Sequence, residues 1–146
     1  MYGALPDGLY QLTKLQYLRL DETLSGQAPW LVDPDEGFTG SLSTQIGGLK
    51  DLRWLLLSNN PLTGTIPTEI GLCEKLERMR VHQTNIGGTM PMEVCMLRDK
   101  ELNHEGGKGV LYADCRPTNR TGDPQLKCDC CSDCCDHVTG VCIADD

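Results

Sequence analysis

The sequence predicts an α/β solenoid: a short stack of coils that share a parallel sheet and end in a disulfide-rich cap. Three observations carry that expectation. Segments opening S-L-S-T-Q-I-G at Ser41, T-I-P-T-E-I-G at Thr65 and T-M-P-M-E-V at Thr89 begin 24 residues apart at both steps. The apolar residues of the first segment (Leu42, Ile46, Leu49, Leu52, Leu55, Leu57, Leu62) keep neither a steady helical nor a steady strand period, so recurrence is what orders them. Beyond Cys115 the composition changes, and Cys128, Cys130, Cys131, Cys134, Cys135 and Cys142 fall within fifteen residues.

A fixed period in this range marks a stacked repeat, and the L-x-x-L-x-L-x-x-N-x-L core is that of a leucine-rich repeat. Within one coil a short strand, Trp54 to Ser58, turns Leu55 and Leu57 inward and Trp54, Leu56 and Ser58 outward. Asn60 turns the chain, and its amide can satisfy backbone groups of adjacent coils. Leu62, Ile66 and Ile70 complete the interior, and Gly64 permits a tight bend. One coil cannot bury its own apolar face, so several must stack.

In chain order, the sequence opens inside a repeat, because Gly3-Ala4-Leu5-Pro6 fills the slots of Gly64-Thr65-Ile66-Pro67. An uncapped coil exposes apolar surface. The expectation is a longer protein of which this is the carboxy-terminal part, or an end covered by a partner. The first coil uses Leu9, Leu12, Leu15, Leu18 and Leu20. Its closing Phe38-Thr39-Gly40 is delayed by an acidic inserted loop, 24–37, which carries Trp30. Such an insertion projects from one face, either to bind or to pack back on the coil. In the third coil Cys73, Met79 and Val81 take the slots of Leu49, Leu55 and Leu57, which makes Cys73 a core residue. Thr84 replaces Asn60 there, as Thr23 does in the first coil. The fourth copy starts regularly with Met90, Pro91, Val94 and Leu97, breaks at the charged stretch from Arg98, and resumes as a strand at Val110 to Asp114. His104 and Glu105 in that break have no ligand-spaced partners and read as solvated loop.

The division expected is a solenoid over 1–114 and a cap over 115–146. Setting Cys73 aside, Cys95, Cys115, Cys128, Cys130, Cys131, Cys134, Cys135 and Cys142 suffice for four bridges, with 105 possible pairings. A link from Cys95 or Cys115 would tie the tail to the last coil. The competing reading is a zinc site on Cys131-x-x-Cys134 with Cys128 or Cys142. Asn119-Arg120-Thr121 is a glycosylation sequon, meaningful only in a secreted protein, and disulfides share that setting.

The net charge of −8 argues against nucleic acid as a partner. No apolar run approaches the ~20 residues of a membrane span, and the first residues lack a basic stretch followed by an apolar one. His82, His104 and His137 are scattered, none at nucleophile-base spacing, and no phosphate-binding loop occurs. The expectation is therefore a protein that is not an enzyme and needs no cofactor or metal. Outward strand positions instead line up a basic-aromatic patch: Tyr17 and Arg19, Trp54 and Leu56, then Arg78, Arg80 and His82. Exposed Trp and Arg are the residue types that most often anchor interfaces. Ordinary solvation of the sheet, with side-chain stems over Trp54, is the plainer account.

The G-x-[IL]-P-x-x-[IL] openings at Gly3 and Gly64, the related one at Gly88, and L-S-x-N-x-L-T-G at Leu57 to Gly64 resemble plant-type leucine-rich repeats. Those occur in receptor-kinase ectodomains and polygalacturonase-inhibiting proteins. The tail, A-D-C before C-x-C-C-x-x-C-C, is similar to the ends of extracellular leucine-rich repeat proteins of diatoms. The resemblance implies a curved right-handed stack with a concave parallel sheet and an irregular or 3-10 convex side. It also implies an extracellular or cell-surface location and a role in recognising a protein, peptide or glycan. Alternatives are a structural protein of wall or matrix and an inhibitor of a secreted hydrolase.

Overall fold

The computed structural model describes residues 2–21, 37–100, 110–117, 124–136 and 141–144. The strands in chain order are β1 (Tyr2–Ala4), β2 (Tyr17–Arg19), β3 (Gly37–Ser41), β4 (Trp54–Leu56), β5 (Leu62–Thr63), β6 (Arg78–Arg80), β7 (Gly88–Thr89), β8 (Val110–Ala113), β9 (Leu126–Lys127), β10 (Asp133–Cys135) and β11 (Cys142–Ala144), with one α-helix, α1 (Met92–Lys100). The main sheet has the order β11-β10-β8-β6-β4-β2, parallel throughout except for the final antiparallel β10–β11 pair. Among the described residues three 3-10 turns, Asp7–Gln11, Thr44–Gly48 and Thr68–Leu72, carry the chain back across the opposite side. The chain is a short leucine-rich repeat solenoid with a cysteine-rich end.

The register follows from the repeat. Leu18, Leu55, Met79 and Leu111 stand opposite one another on adjacent strands, and all four are buried. Burying one such side chain stabilises by about 1.5–3 kcal/mol. Leu49 is 0% exposed, whereas Leu12, its counterpart in the first coil, is 53% exposed because no coil among the described residues lies beyond it. Gly3, Gly40, Gly64 and Gly88 occupy equivalent places, and all have positive φ, from 77° to 110°. That conformation is cheap only for glycine.

Backbone groups at the strand ends are met from inside the stack. The Asn60 amide nitrogen donates to the carbonyls of Leu20, Leu57 and Ser58 at 2.8, 3.0 and 3.1 Å, and its oxygen accepts from Phe38 N–H at 2.9 Å. Thr84 reproduces only the local part, donating to Val81 O at 2.8 Å. The next coil supplies the rest: the buried Asp114 carboxylate accepts from the N–H groups of Gln83 and Thr84 at 2.8 and 3.1 Å.

The convex side is set by close approach. A Cβ at Gly47 would stand 2.8 Å from Glu69 O, and one at Gly71 would stand 2.5 Å from Glu93 Cβ. Cys95 occupies the matching place in the fourth coil, where an α-helix replaces the 3-10 turn. That helix departs from the irregular convex side expected from sequence. Met92 to Lys100 contains no glycine and is rich in helix-forming residues, and the helix runs on through Arg98 to Lys100. Two other expectations shift. The strands end at Leu56 and Ala113 rather than at Ser58 and Asp114, and Gly37 opens β3 instead of closing the inserted loop. The rest of that loop, 24–36, lies outside the described residues. A second run of short parallel pairs, β1-β3-β5 and β7-β9, lines the flank of the stack.

The tail is woven into the stack. β9 pairs with β7, β10 adds a strand to the main sheet beside β8, and the Gln125 side chain donates to the carbonyls of Thr84 and Ile86. All eight tail-associated cysteines are bridged, as Cys95–Cys130, Cys115–Cys134, Cys128–Cys131 and Cys135–Cys142. Both bridges reaching back to the last coil are present. The pairing leaves no thiolates for a zinc site on Cys131 and Cys134. Cys73 is free and buried, donating weakly to Ile46 O at 3.4 Å, and burial pushes its thiol up to about 11.

Two outcomes follow. Asn60→Ala takes its side-chain partner from the Phe38 N–H and from the carbonyls of Leu20, Leu57 and Ser58 and should cost about 2–4 kcal/mol, read as a lower urea midpoint at unchanged slope. The native protein should show no thiol reactive towards a disulfide reagent at pH 8, and one after denaturation without reductant; two or more would refute the four-bridge arrangement.

Candidate functional site

Strand alternation on the main sheet sends alternate residues of each strand to its open, concave face. Two rows form there. Tyr17, Trp54, Arg78 and Val110 stand side by side in one, and Arg19, Leu56, Arg80 and Tyr112 in the next, extended by Asp133 of β10 beside Tyr112. The repeat thus places six sequence-predicted residues on one surface, with the seventh, His82, just beyond β6.

The aromatic side chains organise this surface. Tyr17, 47% exposed, meets the Trp54 ring edge-on at 5.0 Å between centroids. The Arg78 guanidinium lies 4.7 Å over Trp54, and that of Arg80 lies 5.0 Å over Tyr112. Contacts of this kind are worth about 0.5–1 kcal/mol each at exposed sites and fix a flat group in place. Behind Trp54, its indole N–H donates to Glu77 at 3.3 Å, and Glu77 is also ion-paired to Arg53 at 3.1 Å. Neither Arg78 nor Arg80 has a carboxylate partner among the described residues, and the Nε of Arg80 is buried without a hydrogen-bond partner.

His82 closes the surface on the cap side. Its Nδ1 is 3.0 Å from Ser58 Oγ, and its ring is 6.1 Å from that of Tyr112. Burial holds its pKa below the ordinary value near 6.5; Asp114 and Asp21 oppose that shift and Arg80 adds to it. Ser58 is itself buried, not outward-exposed as alternation predicts, because it is packed under His82.

Leu56 also departs from expectation. It is on the open face, yet only 5% exposed and outside the apolar interior of the coils. Flanked in register by Arg19 and Arg80, it is shut off from solvent and offers no ligand surface of its own. Tyr112 was missed from the predicted set, although the resumed strand at Val110 carries the signal for it. Trp30 of the inserted loop, Asn119 of the sequon, His104, Glu105 and His137 lie outside the described residues. No helix among the described residues is long and apolar enough to cross a membrane.

A model of the Leucine Rich Repeat family matches residues 51–73. No curated protein matches by sequence. Among solved structures, the chain is similar to the Arabidopsis thaliana receptor kinase HAESA in complex with the peptide hormone IDA and the co-receptor SERK1. That match has 26% identity and a TM-score of 0.57, covering 77% of this chain and 16% of the other. It is also similar to the BIR3–SERK2 complex from Arabidopsis thaliana (28%, TM-score 0.53, 65% of this chain and 44% of that one). A third is PEPR1–AtPEP1 (23%, TM-score 0.56, 75% and 13%), which speaks for the fold alone. The chain thus covers between 13% and 44% of these three chains.

The depressed pKa of His82 has a definite sign in stability. A histidine held below its unfolded value contributes stability that is present above pH 6.5 and is lost as pH falls from there through the folded pKa. Between pH 7.5 and 5 the wild type should lose more unfolding free energy than His82→Gln, measured by urea denaturation at each pH. Equal losses would show that His82 does not titrate abnormally.

Proposed function

We propose that this chain is an extracellular recognition module that receives a peptide or protein segment across the open face of its main sheet. One observation carries this reading: two guanidinium groups, Arg78 and Arg80, lie over the rings of Trp54 and Tyr112 with no carboxylate partner among the described residues. Unpaired cations on an acidic protein favour a segment bearing carboxylates, and the rings beside them supply apolar contact area. HAESA was solved with a peptide hormone, which supports the same reading. Four disulfides support an oxidising setting outside the cell. Binding, not catalysis, is the activity proposed.

The test is a random peptide display library panned on the wild type, with a glycan array run in parallel. Peptides rich in Asp and Glu should be recovered, and Trp54→Ala with Arg80→Ala should weaken them by roughly 30-fold at unchanged Tm, as expected for losing about 2 kcal/mol of hot-spot contact. Equal binding to wild type and double variant, or glycan hits with no peptide hits, would overturn the peptide reading.

A further inference from the structure

The cap holds a ligand set that the disulfide pairing conceals. Cys135 and Cys142 face each other across the antiparallel β10–β11 pair, and a ring nitrogen of His82 and the two sulfurs all lie within 4.8 Å of one another. We propose that His82, Cys135 and Cys142 form a redox-gated site for a thiophilic divalent ion such as zinc, shut while the bridge is intact and opened by a dithiol reductant.

The chemistry balances. A dithiol transfers two electrons and two protons to the Cys135–Cys142 bond and becomes a disulfide, leaving two thiols. The metal then displaces those two protons and is held by two thiolates and one imidazole. Ligands at about 2.0–2.3 Å in a tetrahedron stand roughly 3.5–3.8 Å apart, so once the 2.05 Å bridge opens the sulfurs separate by about 1.7 Å and the imidazole nitrogen closes in by about 1 Å.

The surroundings suit that role. Ser58 Oγ at 3.0 Å from Nδ1 can accept its proton, which fixes the ring and leaves Nε2 with a lone pair, as outer-shell partners of metal-bound histidines do. Burial keeps the imidazole neutral, the form that ligates. Asp114 adds a negative charge near the ring. The bridge also closes the last turn of the main sheet beside Tyr112, so opening it changes the cap side of the proposed binding face.

The test uses the full chain with cobalt(II) as probe, before and after reduction with a phosphine, and follows thiolate-to-cobalt absorption and the tetrahedral d–d bands. The oxidised protein should show neither. The reduced protein should bind one cobalt with both signals. His82→Ala should weaken binding at least tenfold and change the d–d bands, and Cys135→Ser with Cys142→Ser should abolish them. The control for the other thiols that reduction frees is removal of each remaining pair in turn, Cys95→Ser with Cys130→Ser, Cys115→Ser with Cys134→Ser and Cys128→Ser with Cys131→Ser. Each should leave the signal unchanged, and far-ultraviolet circular dichroism should confirm that each variant keeps its sheet. A signal that follows any of those pairs, or that is indifferent to His82 in a folded variant, would overturn the assignment.

Discussion

Polar backbone turned into a dry interior must find partners there, and the stack is held in register by how it does so. At each strand end the chain bends inward and presents N–H and carbonyl groups that water cannot reach. Asn60 answers for the first two coils with one amide that touches both. Where threonine stands in its place, the work passes to a carboxylate one coil further on, and Asp114 becomes the buried anchor of the third coil. Gln125 then serves the same coil from the tail. The cysteine-rich segment is in this sense part of the interior hydrogen bonding and not only a staple. The four bridges add to it by limiting the unfolded chain.

Much of this was legible in the sequence. The 24-residue recurrence gives the coils, and the glycine ending each opening gives the bends, because both reflect constraints carried by single residues. The count of bridged cysteines was also readable, since six lie within fifteen residues, Cys95 and Cys115 bring the number to an even eight, and Cys73 sits in a leucine slot. Their connectivity was not, because pairing depends on where β9 and β10 dock. Helix α1 escaped notice for a similar reason: its apolar slots match the repeat, and only the absence of a glycine at Cys95 distinguishes it.

The face is where strand alternation alone misleads. Alternation says which side of the sheet a residue occupies but nothing of what its lateral neighbours do. Leu56 and Ser58 are on the predicted side and still buried, one between two long arginines and the other beneath His82. Conversely, Arg78 and Arg80 acquire their character only from Trp54 on the preceding strand and Tyr112 on the following one. Side chains from three coils thus create a surface that no single repeat contains.

The near-contacts at Gly47 and Gly71 bear on that surface from the far side of the molecule. Ladder bonding fixes the strand spacing at about 4.8 Å, while the back of each coil is as thin as the missing side chains allow. The difference between the two spacings decides how far the stack bows. A methyl group at either glycine would act as a wedge driven into the spine of a book, tilting the pages on which Trp54 and Arg78 are printed. The width of the opening offered to a ligand is therefore set partly by residues that no ligand will touch.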